Sequence, residues 1–186
     1  MNLPQINRHT YIDLPRHPLI VCATLVQNPA NLGGLCRTAE VFRLESLVLS
    51  ALAIAQTAPF RRLSTSAHHW QPLSECSIAD LPAWLNRRKH DGYCLTALHA
   101  DSNAKPLTEF RYPTRSVLLI GRELTGIPIP LIEQCDDVIT IPQFGLVESL
   151  NVQNAAAIAI YEYIRQQTGQ SATRHFASPS DANPSE

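Results

Sequence analysis

The sequence predicts an α/β fold with a mostly parallel sheet, and two observations predict it. Short β-rich apolar runs end in turn signals, and they alternate with segments whose apolar residues recur at helical spacing. PLIVCATLVQ, Pro18 to Gln27, is the first strand; NPAN closes it, and a helical pattern follows from Asn31. In that helix Leu35, Ala39 and Phe42 fall at i, i+4 and i+7 and form the buried stripe. Arg37, about 200° round from Leu35, faces away from the core.

ESLVLSALAI, Glu45 to Ile54, reads as the second strand, TSAHHWQPL as loop, and PAWLNRRKHDG, Pro82 to Gly92, as a helix with proline near its start and glycine past its end. YCLTALH (Tyr93–His99) and RSVLLIG (Arg115–Gly121) are the third and fourth strands, and RELTGIPIPLIEQC is a loop entering a short helix. DVITIP (Asp137–Pro142) is the last strand, and Asn151 to Gln167 is a helix so poor in charge that it calls for burial by its own domain and by a partner chain. Residues 1–168 form one domain. The Ser-, Pro-, Asn- and Asp-rich tail, 169–186, is expected to be disordered.

Composition narrows the function classes. The 186 residues are 45% hydrophobic and 17% charged, an ordinary globular balance. No apolar run reaches the roughly 18 residues that cross a bilayer, and the N-terminal stretch has no apolar signal-peptide core, so a cytoplasmic protein without membrane contact is expected. Five dispersed cysteines form no CxxC pair and read as reduced, mostly buried thiols. With a net charge of −1, a polyanion must be held by local clusters: Arg8/His9, Arg61/Arg62, His68/His69 or the Arg87–His90 run. Taken singly, each of these reads as a solvated face.

Several nucleotide signatures are missing. There is no GxGxxG, no GxxxxGK[ST] and no GxSxG, which weakens dinucleotide, P-loop and hydrolase readings. The adjacent His68 and His69 would diverge in a regular element, and no metal site is expected. Three polar loops remain, each after a strand: one carries Asn31 and Arg37, GRELTG carries Glu123, and IPQFGLVESLN carries Ser149 and Asn151. In a parallel sheet, ligands bind at the carboxyl ends of the strands, where these loops can converge. None supplies a His, Cys or Lys suited to general-base work near neutral pH. The site is therefore built to position reactants and complement charge around an already activated cofactor.

NLGGLCRTAEVF, LLIGRELTGIP and ITIPQFGLVESLNVQNAAA, in order and at the expected separation, resemble motifs 1, 2 and 3 of the SpoU/TrmH group of SPOUT methyltransferases. The resemblance runs from about Val21 to Arg165. It implies an S-adenosylmethionine-dependent RNA ribose 2′-O-methyltransferase, an α/β domain with a deep C-terminal trefoil knot, working as a homodimer. Residue by residue, it gives Arg37, Asn31, Glu123, Ser149 and Asn151 catalytic-site roles. It places Gly121, Ile141, Leu150 and Thr96, which is read as ending the third strand, around the cofactor. Gly33 and Gly34 are read as letting RNA or a partner backbone come close.

Standing alone, Asn31 reads equally as a helix N-cap, Ser149 or Asn151 as caps of the last helix, Glu123 as a surface partner of Arg122, and Arg37 as a solvated helix residue. Arg43, Gln143 and Gln153 depart from the commonest family pattern, Arg43 standing where a glycine often closes the first helix. LSTSAHHWQPL and IPQFGLVESLNVQ look most like the catalytic domains of large eukaryotic tRNA ribose methyltransferases and of bacterial TrmH. That favours guanosine 18 of the tRNA D-loop, recognised by this domain and its dimer. Ribosomal RNA is the second substrate reading; a non-catalytic RNA-binding protein and a nucleotide-dependent oxidoreductase are the rival functions.

Overall fold

Along the central strands, side chains of both parities are apolar, which a sheet covered on both faces requires. In the computed structural model, which describes Tyr11 and residues 14–147 and 149–169, Leu19 and Val21 of the first strand enter one core while Ile20 and Cys22 enter the other. The sheet has seven strands: β1 (His17–Cys22), β2 (Leu44–Leu49), β3 (Leu73–Glu75), β4 (Cys94–Leu98), β5 (Lys105–Pro106), β6 (Ser116–Ile120) and β7 (Asp137–Thr140). Their order is β3-β2-β1-β6-β4-β7-β5 and every pairing is parallel. Central β6 aligns Ser116 with Leu19 of β1 on one side and with Cys94 of β4 on the other.

Helices α1 (Pro29–Val41), α2 (Ala58–Ser64) and α5 (Val152–Thr168) cover one face; α3 (Leu81–His90) and the short α4 (Ile129–Ile132) cover the other. From β1 the chain winds to β2 and β3 on one side, then crosses to β4 and the remaining strands on the other, so the direction of winding switches beside β1. In such sheets the ligand crevice lies at the carboxyl ends next to that switch.

The strands predicted from sequence all form, at somewhat shorter lengths. The region after β2 departs from expectation: Leu52–Gln56 is a 3₁₀ turn, α2 follows, Ala67–His69 is a second 3₁₀ turn, and β3 begins at Leu73, the last residue of the predicted loop. Three-residue β3 and two-residue β5 are too short to carry a readable period. Of the predicted tail, 169–186, all but Gly169 lies outside the described residues, as does the Arg8/His9 pair. Within α5 the buried residues are Ala156, Ala159, Ile160 and Tyr163, a single stripe, and the Tyr163 hydroxyl donates to the Thr114 carbonyl at 2.6 Å.

All five cysteines are free thiols, and Cys22, Cys36 and Cys76 are buried. Burial pushes the Cys22 and Cys36 thiols up to about 12, which keeps them protonated and unreactive.

The turn after α1 is strained, as an arginine in a glycine position requires. Arg43 has φ 49°, the left-handed region. Its buried guanidinium donates to the carbonyls of Tyr11 (2.9 Å), Leu14 and Pro15 (3.3 Å) and lies 4.2 Å from the centre of the Tyr11 ring. These contacts outweigh a backbone cost of roughly 1–2 kcal/mol. Arg43→Ala keeps the strained turn and loses every side-chain contact, so denaturant unfolding should show a loss of about 2–3 kcal/mol. Arg43→Gly relieves the strain and should cost about 1 kcal/mol less; a glycine variant as stable as the native chain would contradict the compensation.

Candidate active site

Three loops at the carboxyl edge of the sheet carry the polar residues, and local sequence sets each one. Asn28 caps α1, its side chain accepting from the Ala30 N–H at 2.9 Å, with Pro29 opening the helix. Asn31 therefore sits inside the first turn rather than capping it, and its side chain is free to reach outward. The GRELTG loop closes on itself through Arg122 N–H to Gly126 carbonyl (2.9 Å) and the reverse bond (3.1 Å). Gly126 takes φ 66°, and a Cβ on Gly121 would lie 2.5 Å from the Gly126 backbone, so the hairpin needs a glycine at both positions. Asn151 caps α5, accepting from the N–H groups of Gln153 (2.9 Å) and Asn154 (3.4 Å).

These loops meet. The Asn31 Nδ2 donates to Glu123 Oε1 at 2.9 Å, and the Asn151 Nδ2 donates to Asn31 Oδ1 at 3.2 Å. Asn31 is thus the middle of a three-member relay whose partners are 92 and 120 residues away in sequence. Glu123 accepts from Asn31 rather than pairing with Arg122. The relay holds the first and third loops against the second and leaves the other Glu123 oxygen available.

Beside the relay is a pocket of about 360 Å³ whose lining includes Gly121, Glu123, Ile141, Gln143, Ser149 and Leu150. Its volume falls within the small-molecule range of roughly 300–1,000 Å³. Ile120, Ile141 and Leu150 supply apolar walls, and the glycine hairpin supplies backbone that comes close to whatever enters. Five predicted residues, Gly121, Glu123, Ile141, Ser149 and Leu150, therefore line one cavity, and Asn31 and Asn151 stand at its side.

Two predicted residues lie elsewhere. Thr96 occupies the middle of β4, not its end, and is fully buried; the strand reaches the pocket wall only at Leu98. Arg37 lies six residues along α1 from Asn31, about 9 Å further and 120° round the helix. It lines an adjoining groove of about 440 Å³ with Thr38, Val41, Phe42, Ile158 and Tyr161. Val41, Ile158 and Tyr161 are 60, 44 and 58% exposed, an uncovered apolar face.

The paired glycines do a different task from the one expected of them. A Cβ on Gly33 would stand 2.3 Å from the Phe60 carbonyl oxygen, and one on Gly34 would stand 2.1 Å from the Gln153 side chain. They bring α2 and α5 up to α1, and neither faces an approaching ligand. The histidines also differ from expectation: in their 3₁₀ turn the His68 and His69 rings lie together, with centroids 4.1 Å apart and planes tilted by 39°. His99, not singled out from the sequence, lines the pocket with its ring packed on Gly126. Its position just past the carboxyl end of β4 was the available signal.

The SpoU rRNA Methylase family model matches residues 18–161. The tRNA (guanosine(18)-2'-O)-methyltransferase TARBP1 of Mus musculus is 43% identical over 149 residues, covering 80% of this chain and 9% of that protein. The 23S rRNA (guanosine(2553)-2'-O)-methyltransferase RlmP of Bacillus subtilis is 33% identical over 139 residues, covering 73% of this chain and 54% of that one. The chain thus spans about a tenth and about half of these curated relatives. Among solved structures, the TrmH/SpoU tRNA modifying enzyme of A. aeolicus superposes with a TM-score of 0.76 at 26% identity, over 86% of this chain and 81% of that one.

Proposed function

The chain belongs to the SpoU rRNA Methylase family, and from that membership we propose that it transfers a methyl group from S-adenosylmethionine to a ribose 2′-hydroxyl of RNA, guanosine 18 of tRNA being the favoured target. The observation that carries this reading is the meeting of Asn31, Glu123 and Asn151 beside the pocket formed by Gly121, Ile141 and Leu150.

The pocket fits the cofactor. Its apolar walls suit a purine, and its glycine backbone allows close approach with N–H and C=O groups at hand. When bound, S-adenosylmethionine supplies an electrophilic methyl on a sulfonium. The protein's part is to aim a hydroxyl at that point and to ease loss of its proton. A guanidinium is a poor general base; the fork of Arg37 binds the neighbouring phosphate and stabilises the alkoxide as it forms. The proton passes to a phosphate oxygen or water. Asn31, held by Glu123 and Asn151, orients the ribose, and Ser149 lines the floor on which it rests.

A homodimer belongs to this reading and accounts for Arg37. A second copy seated on the groove between α1 and α5 covers Val41, Ile158 and Tyr161 and sets Arg37 at the seam between subunits. The deep trefoil knot also belongs to it, as a property that the motif resemblance implies. A cytoplasmic location belongs to this reading as one of RNA maturation; among the described residues no helix is long and apolar enough to cross a membrane.

The test is transfer of labelled methyl to unmodified tRNA and, separately, to ribosomal RNA, followed by nucleoside analysis. Labelled 2′-O-methylguanosine in tRNA is expected. Label confined to ribosomal RNA, the reading that the B. subtilis relative favours, would keep the reaction and replace the substrate. A protein that binds the cofactor's analogue nowhere and labels neither RNA would overturn the reading.

A further inference from the structure

The segment between β2 and β3 carries charge that the proposed chemistry leaves unused. From Leu14 to Ser74 the chain holds five arginines and only two glutamates, within a protein whose net charge is −1. Both glutamates are engaged by tyrosines: Tyr11 donates its hydroxyl to Glu40, and Tyr93 donates to Glu45 at 2.5 Å. Two of the arginines are committed to backbone carbonyls, Arg16 to Leu44 (3.2 Å) and Trp70 (2.7 Å), and Arg43 at its strained turn. Arg37, Arg61 and Arg62 are left exposed, and none of them forms an ion pair among the described residues.

Their placement is continuous with the site. Since α2 follows the carboxyl end of β2, it stands on the same edge of the sheet as the pocket. The Phe60 carbonyl rests on Gly33, so Arg61 and Arg62 begin where α2 touches the first turns of α1. Around α1, Arg37 lies about 40° from the direction of Gly33 and Asn31 about 160° from it. Asn31 thus faces the pocket side, while Arg37 points between the directions of Gly33, which meets α2, and Gly34, which meets α5. At the end of α2, Ser64 Oγ is 3.0 Å from His68 Nδ1, and the His68 ring lies against that of His69 at a 39° tilt. Desolvation, then the charges of His69 and Arg61, holds the His68 imidazole below its ordinary range, which places Arg61 within electrostatic reach of the pair.

We infer that Arg61 and Arg62, with the adjoining His68 and His69 beside them, form a phosphate-binding surface that carries the RNA from the pocket past Arg37 and over α2. The inference rests on the reading of RNA as substrate. Exposed guanidinium forks without a carboxylate partner suit backbone phosphates, Arg61 keeping N–H groups beyond the one it donates to the Gln56 side chain, and the imidazole pair suits an unstacked base. No carboxylate occurs between Glu45 and Glu75, so nothing in the segment repels the polyanion.

The test uses the full chain and fluorescence anisotropy with an unmodified tRNA transcript over a series of salt concentrations. Arg61→Ala/Arg62→Ala is expected to bind about tenfold more weakly and to lose roughly 1.4–1.8 from the slope of log affinity against log salt. The KM for RNA should rise while kcat at saturating RNA stays within about twofold. Arg87→Ala, an exposed arginine on α3 across the sheet, is the control for net charge alone and should leave binding unchanged; thermal melts check folding. A double variant that binds like the native chain, or no worse than Arg87→Ala, overturns the surface even if the native protein methylates RNA. A native protein that binds RNA through these arginines yet transfers no methyl keeps the surface and sinks the activity. Failure of the native protein to bind RNA removes both.

Discussion

Replacing Arg37 by alanine is expected to lower methyl transfer to RNA by about 10²–10³-fold, the loss typical of removing one hydrogen-bond donor from a developing oxyanion. Cofactor affinity, measured by calorimetry, should change less than about twofold, because Arg37 lines the α1–α5 groove and not the pocket. Arg37→Lys retains the charge without the fork and should recover only part of the rate, which a role as generic surface charge would not predict. An alanine variant within threefold of the native rate would remove Arg37 from the chemistry.

The largest loss of stability is expected at Gly33. A methyl group there meets the Phe60 carbonyl oxygen at 2.3 Å, and this neighbour is backbone, so α2 must move away from α1 for the residue to fit. Gly33→Ala should cost about 3 kcal/mol, the upper end of ordinary overpacking, and lower the thermal midpoint by roughly 6–12 °C. Gly34→Ala also adds a methyl group to the same helix, but its obstacle is the Gln153 side chain, which can swing aside. The loss there should be about half as large or less. A thermal scan of both variants reads the difference, and equal losses would show that helix contact does not discriminate the two glycines.

The contrast between these glycines shows where sequence reading stopped. Adjacent glycines beside an asparagine suggested an open approach for a ligand, because glycine lets any backbone come near. What came near was α2 on one side and α5 on the other. A pattern of spacings assigns Gly33 to a helix face without naming what occupies the space beyond it. Short β3 and β5 were missed for a related reason, since two or three residues carry no period. Arg43 was more legible: a side chain where a glycine is usual implies strain, and φ 49° is that strain. Its compensation by carbonyls of Tyr11, Leu14 and Pro15 needed the fold.

The sequence by itself determined the strands of the central sheet, the helices α1, α3 and α5, and the three loops that carry Asn31, Glu123, Ser149 and Asn151. Apolar runs, periods and turn residues are local properties, and they act within a few residues of where they are read. Tertiary structure alone decided that Asn31 lies between Glu123 and Asn151, that Thr96 is buried below the pocket, and that Arg37 stands in a separate groove. These depend on sheet order, which brings residues 92 and 120 positions apart within hydrogen-bond reach, while the pitch of a single helix turns Asn31 and Arg37 to different sides.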